Sequence, residues 1–204
     1  MWARSTPEAF EAAAARRIDA VVLGASAGGF EALLAVLQGL PRSYPMPLVA
    51  VLHLPDNHES RLAELFGYRL MLEVREARDK ETLAPGILYF APSGYHLSVE
   101  NDGSFSLSCE DRVHWARPAI DILFASAADA YGKSLAGILL TGANYDGAAG
   151  LAGMQVAGAL TIVQDPATAE VPTMPEAALR RMTPDLILPL AEINSLLHRL
   201  GALQ

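Results

Sequence analysis

Short apolar runs without polar alternation recur along the chain, and they constrain the fold more than any other feature. The clearest are residues 18–23, 48–52 and 136–141. A strand with one solvent-exposed face alternates apolar and polar side chains. Apolar runs without this alternation are therefore typical of strands buried on both faces. Stretches with helical spacing of apolar residues separate them, and strands that alternate with helices favour a parallel sheet. The sequence predicts an α/β protein with a doubly wound, mostly parallel sheet and helices on both faces.

Period-two alternation occurs on both sides of Asn101-Asp102-Gly103, in residues 95–100 and 104–109. This pattern around a turn sequence predicts one antiparallel β-hairpin. Weaker patterns predict the remaining elements. The other strands are predicted at 70–74, 87–91, 160–164 and 186–188, and the helices at 30–37, 61–66, 118–131, 147–156 and 190–200.

The size and charge of the chain exclude several classes of protein. Its 204 residues are 51% hydrophobic, which excludes a disordered chain and suits one ordinary α/β domain. Fifteen Lys and Arg against 23 Asp and Glu give a formal charge of −8, which disfavours binding to nucleic acid or anionic membranes. The apolar runs fall far short of the roughly 20 residues that span a bilayer, so no membrane insertion is predicted. The single cysteine, Cys109, fits a reducing compartment, and we predict a cytoplasmic location.

Residues 1–17 differ in character from the rest and are interpreted as an N-terminal helical arm. Glu8 and Glu11 interrupt what would have to be the apolar core of a signal peptide. Pro7, followed by a run rich in alanine, predicts a short helix with proline in its first turn. The arm is a surface helix or frayed segment in one interpretation and a regulatory or docking segment in the other.

Three polar residues each stand just past a predicted buried strand: Ser26, His53 and Asp146. In an open parallel sheet the ligand crevice lies beyond the carboxyl ends of the strands, so this topology can bring the three together. A hydroxyl nucleophile, an imidazole base and an orienting carboxylate are the parts of acyl-transfer chemistry. The three residues are therefore the candidate catalytic set.

Ser26 gives the most specific signal of the three. It stands in Gly-Ala-Ser-Ala-Gly, residues 24–28, which matches the G-x-S-x-G nucleophile turn between a strand and a helix. The following helix would point N–H groups and its positive end at a developing oxyanion. A phosphate-binding loop or a serine helix cap fits the motif equally well. By themselves, His53 also suits a hydrogen-bonded loop residue, and Asp146 the N-cap of the next helix.

Other titratable residues give weaker signals. Asp121 and Asp129 are predicted on the solvated face of helix 118–131, and Asp165 and Glu170 lie in a proline-rich loop. The remaining histidines lack metal-ligand spacing and are interpreted as structural or surface residues: His58, His96, His114 and His198. The sequence predicts neither a metal site nor a cofactor.

A series of motifs resembles, in order, the catalytic domain of the chemotaxis receptor methylesterases (CheB), also called protein-glutamate methylesterases. The matching stretches are VLGASAGG at 22–29, HLP at 53–55, APSGYHL at 91–97, RPAIDILF at 117–124, LLTG at 139–142, DGAAGL at 146–151, QDP at 164–166, TA at 168–169 and MPEAA at 174–178. They extend over about residues 18–200. On this resemblance, residues 18–204 form a CheB-like methylesterase catalytic domain.

The resemblance implies hydrolysis of glutamate γ-methyl esters in the methylated cytoplasmic region of chemoreceptors, with release of methanol. Some relatives also deamidate receptor glutamines. By position, Ser26 is the nucleophile, His53 the base and Asp146 the orienting acid. The backbone N–H groups of Ala27 and Ala143 would form the oxyanion hole. No cofactor is implied, and the partner is the receptor protein.

Two departures from the family pattern bear on these expectations. TGANYD at 141–146 replaces the usual Thr-Gly-Met-Gly-x-Asp, so a left-handed backbone is expected at Asn144, where the family has glycine. Better-known members also carry an N-terminal receiver domain, for which 17 residues leave no room. The chain is expected to be a stand-alone enzyme or an excised domain, of which Met1 favours the first, and a separate regulatory protein is a candidate partner. The changed loop keeps open a noncatalytic module that binds receptors or signalling proteins, with a nucleotide-binding domain as a third alternative.

Overall fold

The structure is a computed structural model that describes residues 2–53 and 61–203. In these ranges the strands are β1 (Ala20–Ala25), β2 (Leu48–Leu52), β3 (Glu73–Glu76), β4 (Ile87–Phe90), β5 (His96–Val99), β6 (Phe105–Ser108), β7 (Leu135–Leu139), β8 (Leu160–Gln164) and β9 (Leu186–Leu188). The α-helices are α1 (Pro7–Ala14), α2 (Gly29–Leu37), α3 (Leu62–Gly67), α4 (Ile120–Tyr131), α5 (Ala148–Val156), α6 (Thr173–Arg181) and α7 (Leu190–Ala202). None of the helices in the described part of the chain is long and apolar enough to cross a bilayer.

Seven of the strands form one parallel sheet in the order β3-β4-β2-β1-β7-β8-β9. The strands β5 and β6 pair antiparallel in a separate hairpin. Strand β1 lies at the centre, and the chain builds the sheet outward from it, first through β2 and later through β7. The predicted fold class is confirmed. The point where the strand order reverses, between β1 and β7, is where ligands bind in sheets of this kind.

The side chains of β1 explain why its sequence lacks polar alternation. Val21, Leu23 and Ala25 point into a core formed with α1, α2, α3 and α7. Ala20 and Val22 point into a second core, formed with α4, α5, α6 and the hairpin. Both faces of the strand are thus buried, and each face requires apolar residues.

Two elements differ from the sequence prediction. Helix α6 was not predicted, because Pro172 and Pro175 suggested a loop. Pro175 stands in the first turn of α6, where the backbone N–H has no partner within the helix, so proline is tolerated there. Strand β3 begins at Glu73, later than the predicted 70–74. It is an edge strand with half-exposed residues, so hydrophobic patterning marks its ends poorly.

The N-terminal segment packs along the far edge of the sheet. The Ser5 N–H donates to the Ile187 carbonyl in β9 (3.2 Å), and the Ile187 N–H donates to Ser5 Oγ (2.8 Å). The side chain of Arg4 is paired with Asp165. Helix α1 confirms the predicted short helix, with Ala13 and Ala14 buried. The division into an arm at 1–17 and a domain at 18–204 stays a prediction.

Candidate active site

The three candidate residues follow adjacent strands at the carboxyl edge of the sheet. Ser26 comes directly after β1, His53 directly after β2, and Asp146 lies in the loop after β7. Backbone hydrogen bonds continue beyond the strands and align these loops. The Ser26 N–H donates to the Thr141 carbonyl (2.9 Å), and the His53 N–H donates to the Ala25 carbonyl (3.1 Å). The topology therefore brings the candidate residues to one edge, as the strand pattern predicted.

The turn after β1 leads directly from the strand into α2, with Ser26 in between. The Ser26 carbonyl accepts the Gly29 N–H (2.7 Å), and Gly28 adopts a left-handed backbone with φ of 73° just before α2. A Cβ at Gly28 would lie 2.8 Å from the Glu170 Cβ, so the turn also requires glycine for space. The Ser26 side chain makes no capping bond to α2, and the helix-cap interpretation of this serine is wrong.

The loop after β7 is held against Ser26 by Thr141 and Gly142. The buried Thr141 Oγ1 donates to the Ala27 carbonyl and accepts the Val171 N–H, both at 2.9 Å. A Cβ on Gly142 would lie 2.6 Å from Met174 Cε and 3.0 Å from Ser26 Cβ. Thr141 therefore ties the serine turn to the segment before α6, and Gly142 permits their close approach.

Asp146 is fully buried and accepts three hydrogen bonds. Its Oδ2 lies 2.9 Å from His53 Nε2 and accepts the Ile120 N–H at 2.7 Å, while its Oδ1 accepts the Asp121 N–H at 3.0 Å. Burial by itself raises the pKa of Asp146, but the bonds from His53 and the two backbone groups outweigh it and hold the pKa below its ordinary value. These N–H groups belong to α4. The prediction that Asp146 caps the next helix, α5, is therefore wrong.

The bond to Asp146 assigns the tautomer of His53. Because the carboxylate is ionised and only accepts, Nε2 of His53 carries the proton and donates a hydrogen bond to Asp146. Nδ1 is then unprotonated, and it accepts a hydrogen bond from Asn144 Nδ2 at 3.4 Å. Asn144 Oδ1 in turn accepts the Asp146 N–H (3.1 Å), so Asn144 bridges the histidine and the aspartate.

Sequence reasoning missed this role of Asn144. The left-handed backbone expected there is wrong, since the non-glycine residues with positive φ in the described ranges are Lys80, His114 and Trp115. Asparagine replaces glycine at this position for its side chain: the amide reaches two partners that only the folded chain brings near. A polar residue two positions before a candidate catalytic aspartate was the available signal.

Ser26 Oγ has no hydrogen bond to His53 or to any other residue in the described ranges. Ser26 is half-buried, and the His53 side chain is 12% exposed. Catalytic hydrogen bonds often tighten only when substrate binds. The N–H groups of Ala27 and Ala143, both in exposed residues, likewise have no acceptor in 2–53 and 61–203. Two backbone donors near Ser26 are thus open to a ligand.

A second acid–histidine pair lies behind Asp146. Asp121 Oδ1 accepts the Gly150 N–H (2.6 Å), and Asp121 Oδ2 lies 3.2 Å from His114 Nε2. The Asp121 side chain is only 12% exposed, so its predicted place on a solvated face is wrong. Burial, reinforced by the charge of Asp146, raises the pKa of Asp121, although the Gly150 N–H opposes this. Ligand atoms of His114, Asp121 and Asp146 lie within 4.8 Å of one another, and hydrogen bonding within the protein accounts for this cluster.

The remaining predicted residues take structural or surface positions. The buried His96 accepts the Ala119 N–H at Nδ1 (3.2 Å), and its Nε2 lies 3.0 Å from the Asp111 carbonyl oxygen, which confirms its structural role. Asp129 and His198 are exposed. Asp165 accepts the Ala167 N–H, and Glu170 is exposed beside Gly28. His58 and the Leu54-Pro55 part of the HLP motif lie outside the described residues.

Substituting Gly147 tests how the loop supports Asp146. Gly147 has a φ of 88°, and a Cβ there would lie 2.6 Å from Cγ2 of Ile120, whose N–H holds Asp146. Gly147→Ala is expected to lower the free energy of unfolding by about 1–3 kcal/mol, measured by urea denaturation. Gly153→Ala in α5 is the control, since nothing lies within 4 Å of its added Cβ and alanine favours a helix. Equal stability changes in the two variants would contradict this account.

The two neighbouring aspartates are expected to titrate on opposite sides of the ordinary value of 3.8. The Asp146 pKa is lowered on folding, so its stabilising contribution is complete above 3.8 and is lost as the pH falls through the folded pKa. The Asp121 pKa is raised, so its contribution is present below 3.8 and is lost as the pH rises through the folded pKa. Carboxyl NMR titration, assigned with Asp146→Asn and Asp121→Asn, measures both. A midpoint for Asp146 at or above 3.8 would contradict the assignment.

Fold and site together define a doubly wound α/β protein with a polar cluster where its three central strands end. The family model described as CheB methylesterase matches residues 21–197. The solved structure of the Thermotoga maritima CheB methylesterase catalytic domain superposes with a TM-score of 0.84 at 32% identity, over 89% of this chain and 98% of that one. The chain belongs to the CheB methylesterase family.

Curated relatives agree with this placement. A putative protein-glutamate methylesterase/protein-glutamine glutaminase of Leptospira interrogans is 40% identical over 182 residues, which are 89% of this chain and 94% of the relative. Protein-glutamate methylesterase/protein-glutamine glutaminase 2 of Anaeromyxobacter dehalogenans is 43% identical over 199 residues, which are 97% of this chain and 58% of that protein. The resemblance found in the motifs is therefore confirmed.

Proposed function

We propose that this chain is a protein-glutamate methylesterase that hydrolyses glutamate γ-methyl esters in the cytoplasmic region of chemoreceptors. The observation that carries the proposal is the hydrogen bond between His53 and the buried Asp146, placed on strand ends adjoining that of Ser26. The activity is assigned to residues 18–204, in a cytoplasmic protein. The printed names of the relatives support methyl ester hydrolysis and, as a second activity, glutamine hydrolysis.

In the first half-reaction, His53 activates Ser26. Nδ1 of His53, the unprotonated ring nitrogen, takes the hydroxyl proton, and Oγ attacks the ester carbonyl carbon. The resulting oxyanion is bound by the backbone N–H groups of Ala27 and Ala143, which have no other acceptor in the described chain. Collapse of the intermediate breaks the bond to the methoxy oxygen. Methanol leaves with the proton from Nδ1, and the glutamyl group remains on Ser26.

In the second half-reaction, water replaces the alcohol. Nδ1 of His53 takes a proton from water, the hydroxide attacks the acyl carbon, and Ser26 leaves with the proton returned by His53. Asp146 holds the imidazole through Nε2 and stabilises its cation in both steps. Glutamine hydrolysis follows the same sequence with ammonia as the leaving group.

The proposal is tested by methanol release from a receptor fragment methylated by the methyltransferase of the same organism. Wild-type protein is expected to release methanol catalytically, and a serine-directed phosphonate is expected to label Ser26, as peptide mass mapping would show. The competing possibility is a noncatalytic module with this fold. Absence of both methanol release and phosphonate labelling would establish that module instead.

A further inference from the structure

A surface pocket of about 570 Å³ lies beside the candidate site and has no part in the chemistry above. We call it the aromatic–arginine pocket. Its lining combines two aromatic rings, two guanidinium groups and two further titratable side chains: Asp111, Arg112, His114, Trp115, Arg117 and Tyr145. Aromatic residues and arginine are the types enriched where proteins bind other proteins.

The aromatic rings of this pocket are unusually exposed. Trp115 is 90% exposed and Tyr145 is 56% exposed. An indole that faces water forgoes the large stabilisation that its burial in a core would provide. Single exposed apolar residues are common, but two large rings lining one pocket form a patch typical of interaction sites.

The exposed Trp115 lies in a turn with an uncommon backbone conformation. His114 and Trp115 both have positive φ, 51° and 66°, a conformation that is a genuine outlier for bulky side chains. Local hydrogen bonds maintain this turn: Val113 and Ala116 exchange backbone bonds at 3.1 and 2.8 Å, and Arg112 Nη1 donates to the Trp115 carbonyl (3.2 Å). Strain that the surrounding structure maintains tends to occur at functional sites.

The pocket is continuous with the candidate site. The ring of Tyr145 packs edge-to-face against the ring of His114, with centroids 4.5 Å apart. Tyr145 is the residue directly between Asn144 and Asp146, and His114 bonds Asp121 behind Asp146. His114 and Tyr145 thus place this pocket beside the loop that carries Asp146.

The charge of the pocket is complementary to a glutamate-bearing substrate. Arg117 supplies positive charge to the pocket in a chain whose formal charge is −8, and Arg112 and Asp111 also line it. Arg117 Nη1 is anchored by the carbonyls of Cys109 and Glu110, at 2.8 and 2.9 Å, which fixes the position of its charge. A glutamate side chain that is not esterified is an anion, which a guanidinium group attracts.

We propose that the aromatic–arginine pocket docks the segment of the protein substrate next to the reacting ester, a polypeptide carrying free glutamates. Trp115 packs on this segment, and Arg117 attracts its carboxylates. The proposal rests on the methylesterase function above and assigns the part of the surface that selects a protein ester over a small one. Such remote contacts increase kcat/KM for the protein substrate and leave hydrolysis of a small ester unchanged.

Trp115→Ala tests the docking role, with Tyr68→Ala as the matched control. Tyr68 is also an exposed aromatic residue, 80% exposed, and it does not line the pocket. Trp115→Ala is expected to lower kcat/KM on the methylated receptor fragment by about tenfold or more, the size of an interface hot-spot effect. Hydrolysis of p-nitrophenyl acetate is expected to be unchanged. Equal losses on the two esters, or no difference from Tyr68→Ala, would overturn the proposal.

Fluorescence provides a readout that does not depend on turnover. The chain has two tryptophans, Trp2 and Trp115, so in a Ser26→Ala, Trp2→Phe protein the emission reports Trp115 alone. Adding the methylated fragment is expected to shift this emission to shorter wavelength. A fragment with its free glutamates changed to glutamine is expected to bind at least several-fold more weakly.

The two readouts separate the docking proposal from the proposed function. An emission shift without Ser26-dependent hydrolysis of either ester would leave docking in place and overturn the methylesterase. Ser26-dependent hydrolysis of the fragment without any shift would overturn docking and leave the methylesterase in place. Equal binding of the glutamate and glutamine fragments would overturn the role of Arg117.

Discussion

Replacing Ser26 with alanine is expected to lower kcat for methanol release on the order of 10⁶-fold, by analogy with measured serine triads. In the proposed mechanism, the substitution removes the atom that forms the acyl intermediate, Ser26 Oγ, and it leaves the surrounding backbone intact. The Ser26 N–H bond to Thr141 and the Gly29 bond to the Ser26 carbonyl do not involve the side chain. The loss is therefore one of chemistry, and it is measured as methanol formed per enzyme on a methylated receptor fragment.

A matched control separates this effect from nonspecific damage. Ser43→Ala changes an exposed serine in a turn and is expected to retain wild-type turnover. Circular dichroism and thermal unfolding of both variants check that they are folded. Turnover near wild type in Ser26→Ala would contradict the assignment of this serine as the nucleophile, whatever the turnover of Ser43→Ala.

Asp146→Asn is expected to lower kcat about 10⁴-fold, the effect of the corresponding change in a measured triad. The carboxylate accepts a hydrogen bond from His53 Nε2, which keeps Nδ1 unprotonated for its proposed role as the base. The amide in Asp146→Asn can donate an N–H to the ring instead. The imidazole proton then lies on Nδ1, and a protonated Nδ1 cannot act as the base. The wrong tautomer thus blocks proton removal from Ser26 without displacing the ring.

The comparison for this variant is Asp129→Asn, an exposed aspartate on α4 that is expected to leave kcat unchanged. Asp146 also accepts the Ile120 and Asp121 N–H groups, so folding of Asp146→Asn is checked by urea unfolding. A folded Asp146→Asn protein with turnover within tenfold of wild type would show that Asp146 supports structure and does not orient a catalytic base.

Local patterns predicted most of the fold. Strands at 48–52, 160–164 and 186–188 have the predicted bounds, because short apolar runs buried on both faces leave little freedom in where a strand begins and ends. Helix α6 was missed because the effect of proline depends on its position within a helix that hydrophobic spacing did not reveal. Strand β3 was misplaced because one edge of the sheet buries too little surface to impose a pattern.

The candidate site was predicted in part. Ser26, His53 and Asp146 were found because each follows a buried strand, and parallel strands end at a common edge. The bridging contact of Asn144 and the pairing of Asp121 with His114 were missed. Asn144 and His53 are 91 positions apart, and Asp121 and His114 are seven apart, so neither pair follows from helical or strand spacing.

The amino-acid sequence by itself determined the α/β class, the buried central strands, the glycine-rich turn at Ser26 and, through its ordered motifs, the family. Each of these depends on residues close together in the sequence. Their hydrophobic and polar side chains repeat at a regular spacing, or their residue types follow a fixed order. Only the tertiary structure decided which ring nitrogen of His53 bonds Asp146 and which helix donates backbone N–H groups to Asp146. It also decided that Trp115 is exposed to solvent beside the site. Hydrogen-bond direction and exposure depend on atoms that come together only after distant segments have packed, so no local pattern can specify them.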